Sequence, residues 1–199
     1  MNSVLSSIET QLPYYLSKDR KEGLLKALKD FPDNMDYYLD KNSSLNSEIL
    51  QGDGLNSLKI IQYETLATKS IRGILLSNSC DLDSNNSRDR GLKAVIAPII
   101  KLSKYKLILE RIGVTEDKIL AKMANIKAQK VTDIFYLPPV NSCDEEHIVI
   151  LDDLHSIPLK FLSLETQNEK IFTLSQAGFY LFLLKISVHF CRFHENIER

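Results

Sequence analysis

The chain has 199 residues, of which 44% are hydrophobic and 26% are charged, and its formal net charge at pH 7 is -1. This length suits one domain, or one domain with a helical appendage, and such a domain buries enough surface to need no disulfide or metal staple. The near-neutral charge excludes a protein that is attracted to nucleic acid over its whole surface, although a local basic face is compatible with it.

The cysteines and the apolar segments favour a cytoplasmic location. Cys80, Cys143 and Cys191 are odd in number and have no C-x-x-C spacing, so they do not indicate a disulfide framework. The first residues lack the basic start and apolar core of a signal peptide. The longest apolar segment, residues 177–191, contains Lys185 and is too short to span a bilayer. We therefore expect a soluble cytoplasmic protein without a membrane partner.

Residues 1–44 are predicted to form an N-terminal helical segment. Ser17 is suited to cap a helix, and the apolar residues that follow it recur at helical spacing. They are Leu24, Leu25, Leu28 and Phe31. The polar stretch 40–47 is predicted to be a linker to a second unit, residues 45–199.

From residue 48 onward, short apolar runs are separated by Gly, Pro, Asn and Asp. There are six of them: LQGDGLNSLKIIQY, IRGILLSNSCDL, LKAVIAPIIKL, VTDIFYLPPV, EHIVILDDL and PLKFLSLE. Short strands at irregular spacing are typical of a small antiparallel barrel or sandwich. We predict an α+β fold in which a small antiparallel β-barrel carries a helical insertion and a C-terminal helix.

The helical insertion is predicted at about residues 103–128, where Thr115 is suited to cap its second helix. Residues 101–130 carry eight Lys or Arg against three acids, whereas residues 144–153 carry five acids and no Lys or Arg. Two interpretations follow. The insertion grips a phosphate backbone or an acidic partner, or it is a solvated face that pairs in part with the acidic segment.

The C-terminal helix is predicted at about residues 176–194 and is apolar on most sides. Its apolar residues are Phe179, Tyr180, Leu181, Leu183, Leu184, Ile186, Phe190 and Phe193. A helix of this kind must be buried on most sides. It therefore packs into the core, or it also forms the interface of a homodimer.

Polar side chains are concentrated in residues 77–83, where a predicted strand ends. Within this stretch Cys80 is interpreted as a nucleophile, as part of a turn, or as part of a non-covalent binding loop. The negative charges of Asp81 and Asp83 disfavour a thiolate at Cys80, and therefore disfavour the nucleophile. The four histidines are His147, His155, His189 and His194. Neither they nor the cysteines have the close spacing of a metal site, so we expect no metal and no cofactor.

Three stretches in order, QGD (51–53), RGILLSNSCDLD (72–83) and KAVIAPII (93–100), resemble the first half of the PemK/MazF-like toxin barrel. The wider pattern resembles an uncharacterised group of small bacterial proteins. The resemblance implies an SH3-like, PemK-like barrel and, in members that cleave RNA, attack by a 2′-hydroxyl. In that case Arg72 clamps the phosphate, Ser77 orients it and Asp81 is a candidate general base. Ile99 or Ile100 stands where that family has a threonine.

The leading hypothesis is a non-catalytic binding or regulatory module of a bacterial toxin–antitoxin or phage-defence system. It recognises a protein partner or RNA through the loop at residues 77–90. The residues expected to bind are Arg72, Ser77, Asn78, Cys80, Asp81, Arg88 and Arg90. The alternative hypothesis is a PemK/MazF-like endoribonuclease toxin that uses Arg72, Ser77 and Asp81 as catalytic residues.

Overall fold

The computed structural model describes residues 35–40, 43–62, 64–82, 91–140, 145–162 and 169–190. The helix predicted from Ser17 to Phe31, and the candidate binding residues Arg88 and Arg90, lie outside these ranges. Residues 35–40 contain no helix and include an isolated bridge between Tyr38 and Leu174.

Seven strands and three α-helices make up the described part of the chain. They are β1 (Gly54–Ile61), β2 (Thr68–Leu75), β3 (Lys93–Lys101), α1 (Leu102–Arg111), α2 (Glu116–Lys127), β4 (Ile134–Leu137), β5 (His147–Ile150), β6 (His155–Pro158), β7 (Lys170–Phe172) and α3 (Gln176–Phe190). The predicted insertion at 103–128 is confirmed as α1 and α2. Of the last predicted run, 158–165, Pro158 ends β6 and a 3-10 turn (Leu159–Phe161) follows it, so the described part of this run is not a strand of its own.

All the strand pairs are antiparallel, in the order β4-β5-β3-β2-β1-β7, with β6 paired to β3. The predicted α+β class with an antiparallel sheet is thus confirmed. The described strands form an open sheet, and their order does not close it into the expected barrel. β3 is long enough to pair with β6 along its first half and with β5 along its second half. Pro98, which has no N–H to donate, lies where β6 gives way to β5.

The two faces of the sheet are covered by separate apolar clusters. One cluster joins Ile74 and Ala97 to Phe135 on β4 and Phe182 on α3. The other joins residues of β1, β2, β3 and β6, including Leu75, so neighbouring residues on β2 point to opposite sides. The sheet is curled, because β1 and β6 approach each other although β2 and β3 lie between them.

Helix α3 buries one face and leaves part of the other exposed. Ala177, Gly178, Leu181, Phe182 and Lys185 are buried. Packing into the core, one of the two predicted alternatives, accounts for this face but not for the end of the helix, where Val188 is 44% exposed and Phe190 is 50% exposed. None of the helices described here is long and apolar enough to cross a membrane.

Candidate anion-binding cleft

The side chains of Ser77 and Asn78 stabilise the turn after β2. Ser77 Oγ accepts a hydrogen bond from the Val95 N–H at 2.8 Å, which joins the turn to β3. Asn78 Oδ1 accepts from the Cys80 N–H at 2.9 Å and caps the 3-10 turn Ser79–Asp81. These contacts support the interpretation of this stretch as a strand end. Both side chains form hydrogen bonds that stabilise the turn.

Gln51, which sequence reasoning did not select, holds the same turn from the other side. Its N–H donates to Ser79 Oγ at 2.9 Å, and its Nε2 donates to the Leu76 carbonyl at 2.7 Å. Cys80 is exposed. Among the residues that the structure describes, no group of three or more His, Cys, Asp or Glu could hold a metal ion.

Ser77 and Arg72 lie in different cavities. Ser77 and Asp81 line a cavity of about 1220 Å³ between the turn after β2 and residues 158–162. Arg72 lines a second cavity of about 550 Å³, which we call the Arg72 cleft. Residues of β1, β2, β3, β4, β5 and β7 contribute to this cleft, together with Tyr38 and Leu39. The structure therefore does not bring Arg72 and Ser77 together over one ligand position.

Arg72 meets His147 within this cleft. Arg72 precedes Gly73, which pairs with Pro98 on β3, while His147 pairs with Lys101 further along the same strand. The Arg72 Nη1 atom lies 3.5 Å from His147 Nε2. His147 Nδ1 lies 3.0 Å from the Glu145 carbonyl oxygen. Since a carbonyl can only accept, we assign the proton to Nδ1, which leaves the Nε2 lone pair directed at the guanidinium.

The surroundings of His147 favour its neutral form. Burial lowers the pKa of His147, and the positive charges of Arg72 and Lys101 lower it further, while the hydrogen bond to Glu145 acts in the opposite direction. The Lys101 ammonium lies 2.6 Å from Glu145 Oε1. This hydrogen bond is the main cause of the lowered pKa of the Glu145 carboxyl.

The basic insertion thus pairs in part with the acidic segment, as one of the two interpretations of the sequence requires. Besides the pair between Lys101 and Glu145, Lys127 at the end of α2 lies 2.6 Å from Glu146 Oε1. Glu146 also accepts a hydrogen bond from the Tyr136 hydroxyl at 2.5 Å. Exposed pairs contribute little stability, about 0–1 kcal/mol each. They do hold Glu145 and Glu146, the two residues before β5, next to the cleft.

Much of the wall of the Arg72 cleft is apolar. The apolar and aromatic residues that line it are Tyr38, Leu39, Ile99, Leu137, Val140, Ile171 and Phe172. The rings of Tyr38 and Phe172 lie with their centroids 5.0 Å apart, and the Tyr38 hydroxyl donates to the Pro138 carbonyl at 2.6 Å. Burial raises the pKa of Tyr38, so its hydroxyl stays protonated.

A buried ion pair supports the β7 side of the cleft. Lys170 Nζ lies 2.8 Å from Asp53 Oδ2 and donates to Thr173 Oγ1 at 3.1 Å and to the Leu45 carbonyl at 3.2 Å. It also donates to the Glu48 carbonyl. Burial raises the pKa of the Asp53 carboxyl, although Lys170 and the Leu50 N–H act in the opposite direction. This pair holds β7 against the segment that leads into β1.

Sequence reasoning selected Arg72 but missed its neighbours in the cleft. His147 was considered only as a metal ligand, and Glu145 only as part of an acidic run. The available signal was that EEHIVI places a histidine at the first position of a strand, beside two acids. The strand pairing that brings this position opposite Lys101 is not visible in a single sequence.

No family model matches this chain, and no curated protein matches it. The resemblance of residues 51–100 to the PemK/MazF-like barrel stays a prediction.

Proposed function

We propose that this protein is a non-catalytic binding or regulatory module and that the Arg72 cleft takes an anionic group of its ligand or partner. The observation that carries the proposal is the guanidinium of Arg72 beside a neutral His147 in a cavity of about 550 Å³. An arginine presents parallel N–H groups that match a carboxylate or a phosphate. The cavity also has the size of a small-molecule site, roughly 300–1,000 Å³.

The biological setting that we propose is a bacterial toxin–antitoxin or phage-defence system in the cytoplasm, with a protein or RNA partner. It rests on the resemblance of residues 51–100 to the PemK/MazF-like barrel, of which we take the curled sheet to be the counterpart. A homodimer through α3 is part of the same proposal. The exposed side chains of Val188 and Phe190 support it.

A second candidate function is an endoribonuclease, which one contact favours. His147 Nε2 carries a lone pair 3.5 Å from the Arg72 guanidinium. A neutral imidazole in this position is suited to take the proton from a 2′-hydroxyl, and the arginine is suited to stabilise the charge that develops on the phosphate. In this version His147 replaces Asp81 as general base. Ser77 has no role, because it lies in the other cavity and is bonded to Val95.

Two measurements on the same proteins test the proposal. Wild type, Arg72→Ala, His147→Gln and the control Arg111→Ala, which changes an exposed residue of α1, are incubated with mixed single-stranded RNA. The ring signals of His147 are then followed by NMR during titration with acetate and with inorganic phosphate. We expect no cleavage, and we expect anion-dependent shifts that Arg72→Ala removes and Arg111→Ala keeps.

Cleavage that both cleft variants abolish would establish the endoribonuclease instead. Absence of both cleavage and anion-dependent shifts would refute anion recognition in the Arg72 cleft.

A further inference from the structure

The charges that line the Arg72 cleft nearly cancel. Arg72 and Lys170 are opposed by Glu145 and Glu169, two cations against two carboxylates. Lys170 is already engaged by the buried Asp53, and Glu145 by Lys101. Among the described residues, Arg72 is thus the cation of the cleft that has no carboxylate partner. Glu169 balances this charge over the cleft as a whole, so the cleft suits one negative charge placed on the Arg72 guanidinium and no more.

A polyanion fits this distribution poorly. A nucleic-acid backbone that placed one phosphate on Arg72 would bring its next phosphates towards Glu145 or Glu169, both of which are negatively charged. Proteins that bind such backbones usually present several lysines and arginines along the path, and each contact releases counterions. The Arg72 cleft lacks that series.

The His147 ring selects further among anions. Its Nε2 atom carries a lone pair, because Nδ1 donates to the Glu145 carbonyl. A carboxylate needs only the paired N–H groups of Arg72 and can avoid this lone pair. A dianionic phosphate has more charge to satisfy and requires further donors, which a neutral imidazole does not supply.

The walls indicate what the anionic group is attached to. Val140 and Ile171 offer partly exposed aliphatic surface, and Tyr38 and Phe172 offer a pair of tilted rings. Burial of an aromatic or branched body against them contributes roughly 25 cal/mol per Å² of apolar surface removed from water. A small, fully polar anion would leave this surface wet.

We infer that the ligand of the Arg72 cleft is a small organic acid with one carboxylate on an aromatic or branched apolar body. This inference rests on the proposed function and deepens it. The carboxylate lies against the Arg72 guanidinium, and the body lies between Val140 and the Tyr38–Phe172 ring pair. A module of this kind acts as a sensor of the acid.

The test is a set of matched probes measured by isothermal titration with the full chain. The acids are 3-phenylpropanoate, 4-methylpentanoate and indole-3-acetate, and each is compared with the corresponding alcohol. Phenyl phosphate and an N-acetylated tripeptide ending in phenylalanine serve as further arms. We expect at least one acid to bind about tenfold or more tightly than its alcohol, and Arg72→Ala to remove this difference. The control Lys104→Ala, an exposed position on α1, keeps it.

The remaining outcomes separate this inference from the proposed function. Binding of phenyl phosphate without any acid overturns the carboxylate and leaves anion recognition standing. Binding of the tripeptide alone overturns the small acid in favour of a chain terminus. Acids that bind Arg72→Ala as well as wild type overturn the placement in this cleft. If none of the probes binds, the inference fails, and the NMR titration with acetate and inorganic phosphate shows whether anion recognition in the Arg72 cleft fails with it.

Discussion

Replacement of Lys170 by methionine is expected to destabilise the protein strongly, because it leaves a buried carboxylate without its cation. Asp53 is 0% exposed, and its Oδ2 atom lies 2.8 Å from Lys170 Nζ. Its Oδ1 atom has no hydrogen-bond partner among the described residues. The Leu50 N–H, which donates to Oδ2 at 2.7 Å, remains in the variant. The Thr173 side chain, which also lowers the pKa of Asp53, remains as well, but neither neutral group replaces an ammonium group.

The size of the effect follows from the proton that Asp53 must take up. Removal of one partner of a buried ion pair typically costs about 3–5 kcal/mol. The ordinary pKa of an aspartate carboxyl is 3.8. Protonating it costs about 1.4 kcal/mol for each unit by which the pH exceeds this pKa, which gives about 4 kcal/mol at pH 7. This sets the scale of the charge penalty, so we expect a loss of about 3–5 kcal/mol at pH 7. The same calculation gives about 2 kcal/mol at pH 5.

The assay is urea unfolding of wild type and Lys170→Met at both pH values, with Lys59→Met, an exposed position on β1, as the control. The double variant Asp53→Asn/Lys170→Met removes the stranded charge and should be more stable than Lys170→Met alone. A loss below about 1 kcal/mol would refute the reasoning, and so would a loss of equal size at pH 5 and pH 7. A double variant no more stable than Lys170→Met would refute it as well.

Three further predictions concern a close contact and two titrating groups. Gly178→Ala places a Cβ 2.3 Å from the Tyr37 carbonyl oxygen, so unfolding experiments should show a loss of about 1–3 kcal/mol, whereas Gly91→Ala, with open space around it, should change stability by less than about 0.5 kcal/mol. Burial lowers the pKa of Lys185 from 10.5 to about 8, so as the pH rises the folded protein releases this proton before the unfolded chain does. Stability should therefore rise from pH 8 to about pH 9.5, by up to about 1.4 kcal/mol per pH unit, and a flat profile in Lys185→Met identifies the source. Burial lowers the pKa of His147 below its ordinary value of 6.5, so as the pH falls the unfolded chain takes up this proton before the folded protein does. Stability should fall as the pH drops below 6.5, and a slope that persists unchanged in His147→Gln would contradict this assignment.

Much of the secondary structure could be predicted because it is encoded locally. The run LKAVIAPIIKL contains β3, the residues after Thr115 form α2, and the prolines at 138 and 139 follow the end of β4. The short strands β6 and β7 were missed because HSIP and KIF carry only one and two hydrophobic residues, respectively. Their pairing with β3 and β1 stabilises them, and local composition does not indicate it.

The candidate site was less predictable, because its members meet through strand pairing. Arg72 and His147 are 75 residues apart and come together because β2 and β5 lie on either side of β3. A side-chain pattern within one strand contains no information about that register. Lys185 illustrates the same limit. In an apolar helix it suggested an interruption, yet it is 6% exposed and donates to the carbonyls of Gln129 and Val131.

Two consecutive glutamates form ion pairs with the two ends of the α1–α2 hairpin, at the start of α1 and at the end of α2. Lys101, the residue that leads into α1, is held by Glu145, and Lys127, the last residue of α2, is held by Glu146. His147 is the next residue along the chain. A tilt of the hairpin must therefore break these two ion pairs or move residues 145–146 with it. A movement of the hairpin that keeps both ion pairs would therefore also move His147, whose imidazole lines the Arg72 cleft.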